Sequence, residues 1–192
     1  LSRASAWPKR RKAPPPATPA ATPSNNFVVG RIKRNLLTNS WIGGLVTHRD
    51  STDDDDYNRV YGADARFQFF GRLNFDSYIL KSTTPGMSGE DQARRFGTSW
   101  VDDEVAVSAG YLTIQPNFNP ELGFVRRDNM TQYDGSFAWR PLIRSGAVIR
   151  NLQFQTDVTY IQDAGAGEIE TRGHAIITGL QFWNGGHIRY TK

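Results

Sequence analysis

Val148-Ile149-Arg150-Asn151-Leu152-Gln153-Phe154-Gln155-Thr156-Asp157-Val158-Thr159-Tyr160 is the stretch whose reading decides the fold. Val148, Leu152, Phe154, Val158 and Tyr160 fall on even positions, while Asn151, Gln153, Gln155, Asp157 and Thr159 fall on odd ones. A two-residue period places successive side chains on opposite faces of a strand, so the stretch reads as a long β-strand with one apolar and one strongly polar side. Residues 57–69 repeat the pattern, with Tyr57, Tyr61, Ala63, Ala65, Phe67 and Phe69 on one face and only Arg59 interrupting them; Asn58, Asp64, Arg66 and Gln68 lie on the other. Residues 131–140 do so again, with Tyr133, Phe137 and Trp139 opposite Gln132, Asp134, Ser136 and Arg140.

Working outward, the same texture broken by Gly, Asn and Asp turns predicts further strands near 27–37, 41–49, 73–81, 94–101, 105–114, 169–182 and 187–191. Asn184-Gly185-Gly186 reads as a tight hairpin turn, because Asn and Gly tolerate positive φ. The expectation is an all-β fold: an antiparallel up-and-down meander of about ten strands, forming a partial or small outer-membrane-type β-barrel. Several strands are longer than the ~5–6 residues usual in soluble sheets and close to the length a tilted membrane-spanning strand requires. The polar face also favours Asn, Gln, Ser, Thr, Asp and Arg over the Lys and Glu of a water-facing sheet, as a hydrated lumen does. Trp41, Tyr57, Phe69, Trp139, Tyr160 and Trp183 stand near strand ends, where aromatic girdles are expected. A soluble β-sandwich remains the competing architecture.

Residues 1–26 differ in kind: six of the ten prolines fall here (Pro8, Pro14, Pro15, Pro16, Pro19 and Pro23), with Ala, Ser and Thr between them. They are assigned as a disordered tail, and residues 27–192 as the barrel domain. Arg3, Lys9, Arg10, Arg11 and Lys12 account for the net charge of +4, since the remainder carries 18 basic against 19 acidic groups. No nucleic-acid partner is therefore expected. The absence of Cys excludes a disulfide framework, a thiolate metal site and a Cys nucleophile. No run approaches the roughly 18 apolar residues of a membrane helix, and the low mean hydropathy agrees with strands apolar only at alternate positions. The opening at Leu1, with no apolar leader behind the basic residues, reads as a piece of a longer precursor.

Four motifs carry a family resemblance: Phe27-Val28-Val29-Gly30-Arg31-Ile32-Lys33-Arg34, Ser40-Trp41-Ile42-Gly43-Gly44-Leu45-Val46-Thr47-His48-Arg49, Tyr57-Asn58-Arg59-Val60-Tyr61-Gly62-Ala63-Asp64, and Asn117-Phe118-Asn119-Pro120-Glu121-Leu122-Gly123-Phe124-Val125-Arg126-Arg127. From Asn26 onward the chain resembles the bacterial family known as domain of unknown function 5916. Members commonly place this region, itself like an outer-membrane barrel, behind a family-nine-like carbohydrate-binding module. The resemblance implies a non-enzymatic outer-membrane barrel domain of a carbohydrate-associated envelope protein, truncated here. Outer-membrane lipid is its implied partner, with carbohydrate reached through a missing upstream module. It supplies no catalytic residues.

Candidate chemistry is sparse. An EF-hand loop starting at Asp54 would offer Asp56 and Asn58, but Arg59 stands where the turn Gly belongs and Ala65 where the last Glu belongs, so no metal site is assigned. Gly86-Met87-Ser88-Gly89-Glu90 departs from a nucleophile elbow at its final Gly. His48, His174 and His187 lack ligand-like spacing. No catalytic residue and no cofactor is assigned. Glu121, Arg126 and Arg127 are the candidate binding residues: either Glu121 pairs with Arg126 or Arg127 to hold a turn, or the three form a lumen constriction that selects solutes by charge. Two rival functions stay open, an envelope glycoside hydrolase with a carboxylate pair at the barrel mouth and a soluble carbohydrate-binding sandwich. Limited proteolysis is expected to cut within residues 1–26 before any site in the strands; first cleavage inside 57–69 or 148–160 would contradict the domain division.

Overall fold

The computed structural model describes residues 24–52, 55–144 and 148–192. The proline-rich tail up to Pro23 and the Asp53-Asp54 half of the acidic run lie outside the described residues. Ten strands follow one another: β1 (Asn25–Leu37), β2 (Ser40–Ser51), β3 (Tyr57–Phe69), β4 (Leu73–Thr83), β5 (Gln92–Val101), β6 (Val105–Ile114), β7 (Met130–Trp139), β8 (Ile149–Asp163), β9 (Ile169–Phe182) and β10 (His187–Thr191). They form a single antiparallel sheet in sequence order, with β1 and β10 at its edges rather than closed upon each other. The alternating segments predicted from sequence lie in these strands, save Arg140 and Val148 just outside β7 and β8, and successive strands pair antiparallel without a crossover.

The connections differ between the two ends of the sheet. At one end, here the turn end, sit Thr38-Asn39, residues 70–72, residues 102–104, residues 140–148 and residues 183–186. At the opposite, loop end sit residues 52–56, 84–91, 115–129 and 164–168. The Asn184-Gly185-Gly186 hairpin forms as expected: Gly185 has φ of 86°, and the Asn184 side-chain oxygen accepts from the Gly186 N–H at 3.0 Å. Phe70 and Gly71 both take positive φ between Phe69 and Arg72, whose N–H donates to the Phe69 carbonyl at 3.1 Å, so this hairpin closes with a type I′ geometry on a non-glycine residue.

Register decides which side chains share a face. Cross-strand partners Phe96, Tyr111, Tyr133 and Tyr160 run across β5 to β8 on one side, with Phe75, Phe137, Trp139 and Phe154 beside them. Asp64, Asp76, Arg95, Gln132, Asp134, Gln155 and Asp157 occupy the other. All of the apolar set but the half-buried Tyr111 is exposed, and among the described residues no second sheet packs on it.

The buried core lies on the polar side. Val60, Ala93, Ile114, Phe118 and Met130 are buried together, with Tyr78, Leu80, Leu112, Val125 and Ile161 packed against them. Phe118 and Val125 belong to the β6–β7 loop, which therefore folds back over the sheet near its loop end. Covering these side chains removes apolar area from water at about 25 cal/mol per Å², which favours the folded-back loop.

Close packing also fixes one glycine. A Cβ on Gly62 would stand 2.2 Å from the Ile79 carbonyl oxygen and 2.9 Å from the Leu80 Cα, whereas one on Gly173 would meet nothing nearer than 3.7 Å. Gly62→Ala is expected to destabilise by about 1–3 kcal/mol through overpacking against backbone, and Gly173→Ala to leave stability nearly unchanged. Denaturant midpoints of the two variants compare them directly, and equal midpoints would contradict the register of β3 against β4.

Candidate functional site

Two surfaces carry the remaining chemistry: the loop-covered polar face and the exposed apolar face. On the polar face the β6–β7 loop is anchored by buried polar groups. Asn58 on β3 donates to the Asn119 carbonyl at 2.8 Å and to the Thr84 hydroxyl at 2.9 Å. Ser82 on β4 accepts from the Asn119 N–H at 3.0 Å. Both residues are only 1% exposed, so their partners are what makes their burial tolerable. Asn117 fastens the loop to its neighbour over residues 84–91, its N–H donating to the Glu90 carbonyl at 2.9 Å and its side-chain amide to the Gly89 carbonyl at 2.9 Å. Pro120 and Gly123 close a turn through the Gly123 N–H and the Pro120 carbonyl at 2.6 Å.

The three candidate binding residues all lie in this loop, but not in the pairing read from sequence. Glu121 pairs with Arg49 of β2, in a fork completed by a second bond of 3.0 Å from the guanidinium. Arg49 also reaches Asp56 at 2.8 Å and the Asn25 side chain at 3.1 Å. Arg127 pairs with Glu170 of β9. The loop is thus tied to the second strand from each edge, and the turn is not held by an ion pair within itself. Arg126 has no partner among the described residues and is exposed beside Phe124, at the rim of a cavity of about 480 Å³. Sequence reasoning missed Arg49, Asn58, Ser82 and Glu170, because their partners lie far along the chain, 72 residues away in the case of Arg49 and Glu121.

Below the loop, the polar face is a field of compensated charges. Asp64 takes Arg31 at 2.5 Å, Asp76 takes Arg95 at 3.3 Å, Asp134 accepts from Gln132 at 3.3 Å, and Asp157 accepts from Gln155 at 3.0 Å. Asp76 and Asp134 flank the paired glycines Gly97 and Gly110 in one cross-strand row, and each carboxylate leans over the neighbouring glycine where a Cβ would otherwise stand. Among the described residues no group of three or more His, Asp or Glu side chains converges as a metal site would require.

The apolar face has sharp borders. Toward the loop end its last apolar residue and the polar residue beyond it are Val46 and His48 on β2, Tyr61 and Arg59 on β3, Ile79 and Lys81 on β4, and Phe96 and Arg94 on β5. They continue as Tyr133 and Thr131 on β7 and Tyr160 and Gln162 on β8, with Arg172 opposite Tyr160 on β9. Tyr61 faces Lys81 and Ile79 faces Arg94, so at these two junctions the border moves one cross-strand pair toward the turn end; at the β8–β9 junction it moves two, because Tyr160 faces Arg172 and Val158 faces His174. The far border moves the same way, from Phe69, Leu73 and Trp100 to Val105, Trp139 and Phe154, then to Leu152, Leu180 and Ile188. The apolar face is an oblique ribbon. Trp41 falls off it: its partner is Arg66, and Lys33 sits 4.1 Å from the centre of its ring on the polar side.

No family model, curated protein or solved structure matches the chain.

Asn58→Ala would leave the Asn119 carbonyl and the Thr84 hydroxyl without their donor, at a cost of about 1–3 kcal/mol. Faster amide exchange across residues 117–125 is expected from it, whereas Arg126→Ala should leave exchange there unchanged. Equal exchange in the two variants would mean that Asn58 does not anchor the loop.

Proposed function

We propose that this chain forms the wall of an outer-membrane-type β-barrel, a non-enzymatic domain of a carbohydrate-associated envelope protein whose hydrated interior is narrowed by the β6–β7 loop. The observation that carries this reading is the oblique apolar ribbon, which no other part of the described residues covers. Barrel strands tilt by about 35–45° from the axis, so a slab of lipid cuts across their cross-strand rows obliquely and both of its borders step in one direction. From Tyr61 to Phe69 the ribbon on β3 measures roughly 27 Å along the strand at ~3.4 Å per residue. A tilt of ~40° leaves about 21 Å of height, near the ~25 Å apolar band of such barrels.

Three further features support it. Tyr and Trp concentrate near the ribbon's borders, at Tyr61, Tyr133 and Tyr160 on one side and Trp100 and Trp139 on the other. Short turns at one end oppose longer loops at the other, as in barrels with short periplasmic turns and longer outer loops, with residues 140–148 the exception. A loop folded back over the polar face, with Arg126 and Phe124 exposed on it, has the form of a constriction that sorts solutes by charge and shape. In a soluble sandwich the Phe137 and Phe154 rings would be covered by a facing sheet, yet they remain 39% and 37% exposed.

The test is substitution within the ribbon. Val158 lies on the apolar face between its two borders, and Gln155 lies on the polar face. Val158→Arg is expected to cost about 2–4 kcal/mol of folding free energy in lipid vesicles, and Gln155→Arg to be tolerated. Phe154→Arg, at the turn-end border, should cost less than Val158→Arg. Equal tolerance of Val158→Arg and Gln155→Arg, or a monodisperse detergent-free monomer, would overturn the membrane reading.

A further inference from the structure

Along the loop-end border of the apolar ribbon, three cations stand in diagonal sequence on adjacent strands: Arg59 on β3, Lys81 on β4 and Arg94 on β5. Arg59 pairs with Thr83, two residues beyond Lys81, and Lys81 pairs with Gln92, two residues before Arg94, so each cation is a diagonal neighbour of the next at about 7–8 Å between backbones. Their compensation is thin. Lys81 meets Asp91 at 3.4 Å, while Arg94 donates only to the neutral Gln92 side chain at 2.9 Å. Arg59 donates to His48 Nδ1 at 3.2 Å and lies 4.7 Å from the centre of the Tyr57 ring. Of the three cations only Lys81 has a carboxylate partner.

Immediately beside these cations lies a groove of about 800 Å³, almost wholly apolar. Gly44 and Ala63, which are cross-strand partners, make its floor; Ile32, Val46, Tyr61 and Ile79 rise around it, and Lys81 stands at its rim. Its shape follows from sequence: small residues occupy two neighbouring strands where branched or aromatic ones flank them. The groove is open to the outside, and Lys81 brings a positive charge to its rim.

We propose that this groove and its cationic rim bind one lipid molecule with an anionic phosphate headgroup, an acyl chain lying along Gly44 and Ala63 and the phosphate resting on Lys81, Arg94 and Arg59. An ammonium and guanidinium groups at the edge of an apolar surface complement a phosphate on the end of a hydrocarbon chain in both charge and position. The inference rests on the membrane reading above and names a lipid that the barrel wall would hold in preference to its neighbours.

The test uses the full chain in dodecyl maltoside micelles, with retained lipid counted by native mass spectrometry against phosphatidylglycerol and phosphatidylcholine of identical acyl chains. Phosphatidylglycerol is expected to bind about tenfold more tightly, a difference of ~1.4 kcal/mol. Lys81→Gln combined with Arg94→Gln should remove that preference, Lys81→Arg should keep it, and Ala63→Phe, which fills the groove, should weaken both lipids alike. Circular dichroism reports whether each variant keeps its strands; should the double variant fail to fold, Lys81→Gln alone against Lys81→Arg decides the point. Equal affinity of the wild-type chain for the two lipids overturns the inference, as does a preference that survives loss of the charges. A micellar dimer dissociated by Ala63→Phe would overturn it in favour of a second copy in the groove. Failure of the wild-type chain to enter phosphatidylcholine vesicles at all would instead sink the membrane reading, whereas entry without headgroup preference sinks the lipid site alone.

Discussion

Every feature of this molecule hangs on one hydrogen-bonded ladder whose register runs unbroken from β1 to β10 apart from local bulges near Asn35 and within the β8–β9 pair. Side chains alternate across a strand with a period of two, so a slip of one residue between two strands would exchange their faces completely. At β7 and β8 such a slip would set Trp139 and Phe137 among Gln155 and Asp157, and both strands would lose their agreement with every neighbour. The ladder thus sorts a sequence of modest hydropathy into one apolar surface and one polar surface, and each extends over several strands only because each pairing repeats the parity of the last.

That sorting inverts the usual arrangement of a water-soluble sheet, in which the apolar face is covered and the polar face is bare. Here the covered part is an island of the polar face, and the cover comes from the β6–β7 loop. The loop's hold combines apolar burial of Phe118 with hydrogen bonds to Asn58 and Ser82, and charged pairs from Glu121 and Arg127 tie it to β2 and β9. Hydrogen-bonded polar anchors in a buried setting specify position sharply, since displacing the loop would leave each of them unsatisfied. A strap fastened in this way braces strands that are distant in the sheet order and places Phe124 and Arg126 at a defined point above the polar field.

The two faces differ in how their side chains are satisfied. Carboxylates on the polar face are matched by Arg or amide partners, which lowers the cost of crowding them on one surface. On the ribbon, ring packing such as Tyr111 against Tyr133 at 5.4 Å and Phe137 against Phe154 at 6.5 Å covers only part of each side chain. The edges at β1 and β10 carry ladder groups on their outer sides, with Phe27, Val29, Ile188 and Tyr190 exposed along them. The division leaves rings partly exposed on one side and partnered polar groups on the other, with Arg59, Lys81 and Arg94 standing along the loop-end border between them.

The alternation in 57–69, 131–139 and 148–160 was enough to determine strands, their faces and their sequential antiparallel order, because period-two patterning and short turns are local properties of the chain. Turn chemistry was equally legible where Asn and Gly stood together, as at Asn184-Gly185, but not at Phe70, whose positive φ follows from the hairpin it must close. The density of special residues between Asn117 and Arg127 marked that loop as the place to look, while its partners were invisible: Glu121 meets Arg49 and Arg127 meets Glu170 only because the loop folds back across the sheet. Trp41 likewise reads as a girdle residue by its position near a strand end, yet parity with Arg66 puts it on the polar side. The oblique borders of the ribbon belong to the tertiary structure alone, because they are a relation between residues on different strands, and the stagger that brings Tyr61 opposite Lys81 and Tyr160 opposite Arg172 is set by cross-strand register rather than by any single segment.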